Sequence, residues 1–125
     1  MIKDKLTYQV IGCAMKVHRT LGGGFQEVIY QRALAIELDR AGIEFGREVE
    51  QPIFYESVEI GTRRADFIVG RRVVVELKAL IALEKIHIVQ AKNYVVAYDL
   101  DIGLLINFGA ERLEYRRLFQ LKEAH

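Results

Sequence analysis

The chain has 125 residues, of which 51% are apolar and 28% are charged, and this balance predicts a single domain over residues 1–125. Its net charge of +1 excludes a strongly basic protein that binds polyanions indiscriminately, and its single cysteine excludes an internal disulfide or a multi-thiolate zinc site. The sequence has neither the apolar run of a membrane span nor that of a signal peptide, so we expect a reduced, cytoplasmic setting without membrane contact.

Two helices are predicted at the start of the chain. Apolar residues over 6–21 recur at steps of three and four, which places them on one face of a helix. A second helical pattern covers 25–41, and Gly42 suits the position just past a helix end. Because Gly22-Gly23-Gly24 separates the two patterns, we expect a tight turn within a helical hairpin.

The period of the apolar residues then changes towards two, which predicts a sheet. Strands are expected at 44–50, 53–55, 58–60, 64–69, 72–77, 102–108 and 112–118, with a helix over 83–97. Pro52, the chain's only proline, separates the first two strands. The run Val73-Val74-Val75 is apolar on both faces, so its strand should lie inside the sheet. The order of elements predicts an α/β or α+β fold, with helices packed against a mixed sheet.

Three charged residues interrupt the apolar central strands: Asp66, Glu76 and Lys78. A charge in a buried strand is costly unless it is paired or bound to a metal. If residues 70–72 form a three-residue hairpin loop, Asp66 lies directly opposite Glu76. Side chains of a strand alternate between its faces, so both carboxylates and Lys78 are expected on one face of the sheet.

This arrangement has two interpretations. Opposed carboxylates repel each other, and a divalent cation such as Mg²⁺ or Mn²⁺ removes that repulsion. A neighbouring lysine can orient an attacking water and stabilise the charge that develops on a phosphoryl group. The same spacing fits a structural salt bridge between Lys78 and Asp66 or Glu76 equally well.

Asp66, nine intervening residues and Glu76-Leu77-Lys78 resemble the signature of the PD-(D/E)XK nuclease superfamily. Residues 24–30 resemble the Gly-x-x-Glu-x-x-Tyr motif of a small family within it, named GxxExxY. Residues 90–94 match the Gln-x-x-x-Tyr signature of its exonuclease-like branch, and residues 103–109 resemble a late strand of the small family. Ala65 stands where the superfamily name has proline, a residue often absent across the superfamily. The resemblance implies a restriction-endonuclease-like core, a mixed β-sheet flanked by helices.

The resemblance also implies a metal centre that binds Mg²⁺ or Mn²⁺. Its ligands would be Glu27, Asp66, Glu76 and the backbone carbonyl of Leu77, while Lys78 would act on the nucleophilic water. Glu27 has a second interpretation, because a carboxylate at a helix N-terminus is favourable without any further role.

Three further residues are candidates on the substrate side. Gln90 is implied to line the catalytic site, and it shares one helix face with Tyr94, a candidate substrate-binding residue. As an alternative, both side chains could form a polar stripe beside the core. Arg64 is a candidate contact for a nucleic-acid phosphate.

These features predict a Mg²⁺-dependent phosphodiesterase that acts on nucleic acid, with DNA favoured over RNA. The alternative is a non-catalytic nucleic-acid-binding or protein-binding module that retains the nuclease fold. The small basic excess of the chain fits a partner or a homodimer in either case.

Overall fold

The computed structural model describes residues 4–120, which form three helices and five strands. In chain order these are α1 (Lys5–Leu21), α2 (Glu27–Arg40), β1 (Phe45–Tyr55), β2 (Val58–Val69), β3 (Val73–Lys78), α3 (Lys85–Ala97), β4 (Ile102–Asn107) and β5 (Glu114–Phe119). The strands form one sheet in the order β1-β2-β3-β4-β5, in which β3 and β4 are parallel and the other neighbours antiparallel. The predicted α+β fold with a mixed sheet is therefore confirmed.

The sheet separates two apolar cores. Helices α1 and α2 pack on one face, where Tyr30 and Phe108 stack with ring centroids 4.7 Å apart. Helix α3 covers the other face through Ala91 and Val95. A Cβ at Gly103 of β4 would overlap the Val95 side chain, so glycine lets α3 lie close to the sheet. Within the described part of the chain, no helix is long and apolar enough to span a membrane.

The middle of the chain differs from the predicted set of short strands. Residues 44–50 and 53–55 belong to one strand, β1, and residues 58–60 and 64–69 belong to β2. Pro52 does not interrupt β1 because this strand lies at the edge of the sheet, where proline is tolerated. Glu56 and Ser57 join the strands, and both have positive φ, the geometry of a two-residue hairpin turn. The result is a long hairpin; the other predicted boundaries agree within two residues.

The hairpin between β2 and β3 matches its prediction. Val69 pairs with Val73 across a three-residue loop, 70–72, in which Gly70 and Arg71 have positive φ. Strand β3 lies between β2 and β4, as its apolar sequence predicts, and α3 provides the crossover to parallel β4. This register brings the charged residues of β2 and β3 to the same region of the sheet.

Candidate active site

Asp66 lies at the point where β2 and β3 separate. The last paired residues are Phe67 and Val75, one residue before Asp66 and Glu76 would meet. Beyond them, Asp66 Oδ2 accepts a hydrogen bond from the Leu77 amide at 2.8 Å, and the Asp66 amide donates to Glu76 Oε1 at 3.3 Å. Carboxylate oxygens thus accept the hydrogen bonds of these two amides, which the β-ladder no longer pairs. The predicted proximity of Asp66 and Glu76 is present, but the regular ladder is not.

The two carboxylates also differ in direction. Asp66 turns into the gap between the strands and reaches α2, where its Oδ1 accepts a hydrogen bond from Gln31 at 2.8 Å. Glu76 and Lys78 instead line a cavity beside α3. The expectation that all three side chains stand on one face of a regular sheet was therefore wrong for Asp66. The physical reason is the separation of the strands, which interrupts the alternation of faces at this residue.

Gln31 and Arg47 also belong to this site, and the sequence analysis did not identify them. Gln31 is buried in α2, and its Oε1 accepts a hydrogen bond from Arg47 Nη2 at 2.8 Å. One signal was present in the sequence: Gln31 is a polar residue at helical spacing from the buried Leu34 and Leu38. A buried amide on an apolar helix face requires hydrogen-bond partners, and here one of them is Asp66.

The site disfavours negative charge when no metal is bound. Burial, followed by the charge of Asp66, raises the pKa of Glu76 to about 8, against smaller opposing effects of the Asp66 amide and Lys78. Burial also raises the pKa of Asp66, although hydrogen bonds from Leu77 and Gln31 and the charge of Lys78 act in the opposite direction. Two neighbouring carboxylates therefore share a partly desolvated region.

Glu27 and Lys78 are within electrostatic range of this pair. Glu27 is the first residue of α2, and burial followed by the charge of Asp66 raises its pKa, while Lys78 lowers it. Lys78 is the last residue of β3. Among residues 4–120, no ion pair within 4.0 Å joins Lys78 to Asp66 or Glu76. The structure therefore does not contain the salt bridge that was the alternative interpretation of the spacing.

Helix α3 closes one side of the site. A cavity of about 340 Å³ is lined by Glu76, Lys78, His87, Gln90, Ala91, Tyr94 and Leu105. The predicted common face of Gln90 and Tyr94 is confirmed, and this face is directed at Glu76 and Lys78. Asp66 and Glu27 lie outside this lining.

A second and wider cavity of about 610 Å³ adjoins the first through Gln90 and Tyr94. Its wall on β2 includes Arg63, whose guanidinium lies 5.6 Å from the centre of the Tyr94 ring, a cation–π contact. Arg64 also lines this cavity, and its guanidinium is 3.9 Å from the carboxylate of Glu48. Arg64 therefore lines the wider cavity and does not line the smaller cavity that contains Glu76.

Tyr30, the last residue of the segment resembling Gly-x-x-Glu-x-x-Tyr, has a structural position. Its buried ring packs against Phe108, and its hydroxyl donates to the Gly22 carbonyl at 2.6 Å and accepts from the Phe25 amide at 3.2 Å. These bonds secure the turn that leads into α2. The position of this turn determines where α2 begins, at Glu27.

A model of the PD-(D/E)XK nuclease superfamily matches residues 4–118 of the chain. The chain belongs to this superfamily. Its five-stranded mixed sheet with three helices is consistent with the restriction-endonuclease-like core of PD-(D/E)XK proteins. Asp66, Glu76 and Lys78 stand at the spacing of the superfamily signature, on the adjacent strands β2 and β3.

One solved structure with the same fold is titled "Crystal structure of SSO0001". The two share 19% sequence identity and a TM-score of 0.61, and the match covers 78% of this chain and 52% of that chain. The chain thus spans about half the length of that structure, and at this identity the likeness shows the fold alone. No curated protein matches the sequence.

PD-(D/E)XK nucleases usually use divalent metals, and the donors present here fit such an ion. Residues 4–120 contain no group of three or more His, Cys, Asp or Glu side chains placed to hold a metal by themselves. Mg²⁺, however, is commonly bound by one or two carboxylates together with waters and substrate phosphate. Asp66 and Glu76 provide two oxygen donors whose mutual repulsion a cation would offset.

Proposed function

We propose that this chain is a metal-dependent nuclease that hydrolyses phosphodiester bonds of nucleic acid. The observation that carries the proposal is the pair Asp66 and Glu76, two desolvated carboxylates at the point where β2 and β3 separate. The Asp66 amide donates to Glu76, and the Leu77 amide donates to Asp66. Lys78 adds a positive charge within electrostatic range of Glu76. Among the described residues it forms no ion pair within 4.0 Å. Membership of a nuclease superfamily supports the same reaction.

The proposed metal ligands are Asp66, Glu76, Glu27 and the backbone carbonyl of Leu77, with Mg²⁺ or Mn²⁺ as the ion. Oxygen donors of this kind suit both ions. When bound, the cation supplies positive charge that polarises the scissile phosphate and offsets the charge that develops on its oxygens. Glu27 begins α2 and is the most exposed of the three carboxylates.

Lys78 and α3 act on the reacting groups. The ammonium of Lys78 orients the attacking water and stabilises negative charge on the phosphoryl group. Gln90 lines both cavities, so its amide can hydrogen-bond to the water or to a phosphate oxygen that enters between them. These roles assign the catalytic chemistry to β3 and to one face of α3.

The substrate lies in the wider cavity on this proposal. Tyr94 supplies a partly buried ring and hydroxyl at the junction of the two cavities, and Arg64 supplies a largely exposed guanidinium that can contact a phosphate. The spacing of Gly24, Glu27 and Tyr30 supports the finer assignment to the GxxExxY family. Within this proposal the substrate is nucleic acid, with DNA favoured over RNA.

A second candidate is a nucleic-acid-binding module that keeps the fold without turnover. The observation that favours it is that residues 4–120 contain no group of three or more His, Cys, Asp or Glu side chains placed to hold a metal by themselves. This candidate predicts binding to nucleic acid without cleavage at any Mg²⁺ or Mn²⁺ concentration.

The experiment that separates the two candidates is calorimetric titration of Mg²⁺ and Mn²⁺, followed by cleavage assays on labelled DNA and RNA. The wild type should bind metal and cleave, whereas Asp66→Asn should do neither. Asp39→Asn makes the same chemical change at an exposed position of α2 and should behave as wild type. Nucleic-acid binding by the wild type without metal-dependent cleavage would favour the second candidate.

A further inference from the structure

Gln31 connects Arg47 to Asp66. Its side chain is 5% exposed, yet it is polar and lies on the buried face of α2. Nε2 donates to Asp66 Oδ1 at 2.8 Å, and Oε1 accepts from Arg47 Nη2 at 2.8 Å. Both polar atoms of the buried amide are therefore hydrogen-bonded. This series of hydrogen bonds runs from β1 through α2 to β2.

The orientation of the Gln31 amide follows from the chemistry of its two partners, Arg47 and Asp66. An arginine guanidinium has only donors, so the oxygen of the Gln31 amide must face Arg47. The NH₂ group must then face Asp66, whose ionised carboxylate has only acceptors. The two neighbours determine the orientation of the amide, and an inverted amide would oppose donor to donor and acceptor to acceptor.

These hydrogen bonds orient the Asp66 carboxylate without occupying all of its acceptor positions. Oδ1 accepts from Gln31 and Oδ2 accepts from the Leu77 amide, so both oxygens are oriented by one donor each. A carboxylate offers about four acceptor positions, which leaves room on each oxygen for a cation. A guanidinium in direct contact would bind the carboxylate as a two-pronged donor and compete with a metal. The interposed Gln31 keeps Arg47 out of that position.

We infer that Gln31 is a positioning residue, which holds the Asp66 carboxylate in the orientation that receives the metal, and that Arg47 acts through Gln31. This inference rests on the proposed function, since it assigns Gln31 to the proposed metal centre. Partners of metal ligands orient those ligands, and their loss commonly weakens metal binding by about 10–100-fold.

The test uses Gln31→Met, which approximately preserves side-chain length and removes the donor. Mg²⁺ titrated into this variant by calorimetry, well below its melting temperature, should bind at least about 10-fold more weakly than in the wild type. In cleavage assays at subsaturating Mg²⁺, kcat should fall while KM for the nucleic acid stays within about twofold. Gln9→Met, an exposed change on α1, should match the wild type in every assay.

A double-mutant cycle tests the role of Arg47. Arg47→Met should weaken Mg²⁺ binding in the wild-type background and have no further effect in the Gln31→Met background, because Arg47 acts only through the amide. Equal effects in both backgrounds would refute that role. Arg47 is exposed on edge strand β1, so Arg47→Met also carries the test if Gln31→Met does not fold.

The outcomes separate this inference from the proposed function. A wild type that binds Mg²⁺ and cleaves, together with a Gln31→Met variant of unchanged Mg²⁺ affinity, would overturn the inference alone. A lower melting temperature with unchanged affinity would assign Gln31 a merely structural role. A wild type that neither binds metal nor cleaves would overturn the proposed function, and the inference with it.

Discussion

Glu76→Gln isolates the energetic cost of placing a negative charge in this site. Glu76 is half-buried, and its Oε1 accepts a hydrogen bond from the Asp66 amide at 3.3 Å. Glutamine has nearly the same size and keeps a carbonyl oxygen that can accept this bond. The substitution therefore removes the charge and leaves the packing nearly unchanged.

The pKa of Glu76 sets the pH range and the size of the effect. Burial and the charge of Asp66 raise this pKa from 4.5 to about 8, so between these values the folded protein retains a proton that the unfolded chain releases. The stabilisation from that proton is complete below the unfolded pKa and is lost as pH rises through the folded pKa. At about 1.4 kcal/mol per pKa unit the full loss is roughly 5 kcal/mol, and relaxation and water entry reduce the expectation to about 2–4 kcal/mol.

The assay is urea denaturation in EDTA at about pH 5.5 and about pH 9, which lie on either side of most of this transition. The unfolding free energy of the wild type should fall between the two conditions by about 2–4 kcal/mol more than that of Glu76→Gln. Glu59→Gln, an exposed change on β2, should retain the pH dependence of the wild type. The same pH dependence in wild type and Glu76→Gln would refute the idea that burial penalises this charge.

Three other substitutions test separate parts of the site. Lys78→Ala should lower kcat by about 100-fold or more with an unchanged circular dichroism spectrum, and full activity would exclude Lys78 from the chemistry. Glu27→Gln should weaken Mg²⁺ binding in calorimetry, but less than Asp66→Asn does; a change in stability alone would leave Glu27 only its favourable position at the N-terminus of α2. Tyr30→Phe should lower the unfolding free energy by about 1–3 kcal/mol in urea denaturation, because the Gly22 carbonyl and the Phe25 amide lose a shared partner; an unchanged midpoint would contradict that role.

The sequence alone predicted the parts of this protein that depend on near neighbours. The helical period over residues 6–21 and the glycines before α2 define a helical hairpin. The loop at 70–72 sets the register of β2 and β3, and with it the proximity of Asp66 and Glu76. Helix period, strand alternation and loop length act over a few residues, so they can be recognised without the rest of the chain.

Only the tertiary structure decided the details that give the site its chemistry. The Gln31 amide meets Asp66 across 35 residues of sequence, and Arg47 completes the chain from a third element. The joining of short segments into β1 depended on edge position, which tolerates Pro52. Likewise, Asp66 leaves the regular ladder because the Leu77 amide needs an acceptor once the strands separate. Such contacts arise from the packing of α2 on the sheet and from unpaired backbone groups, which local sequence patterns do not encode.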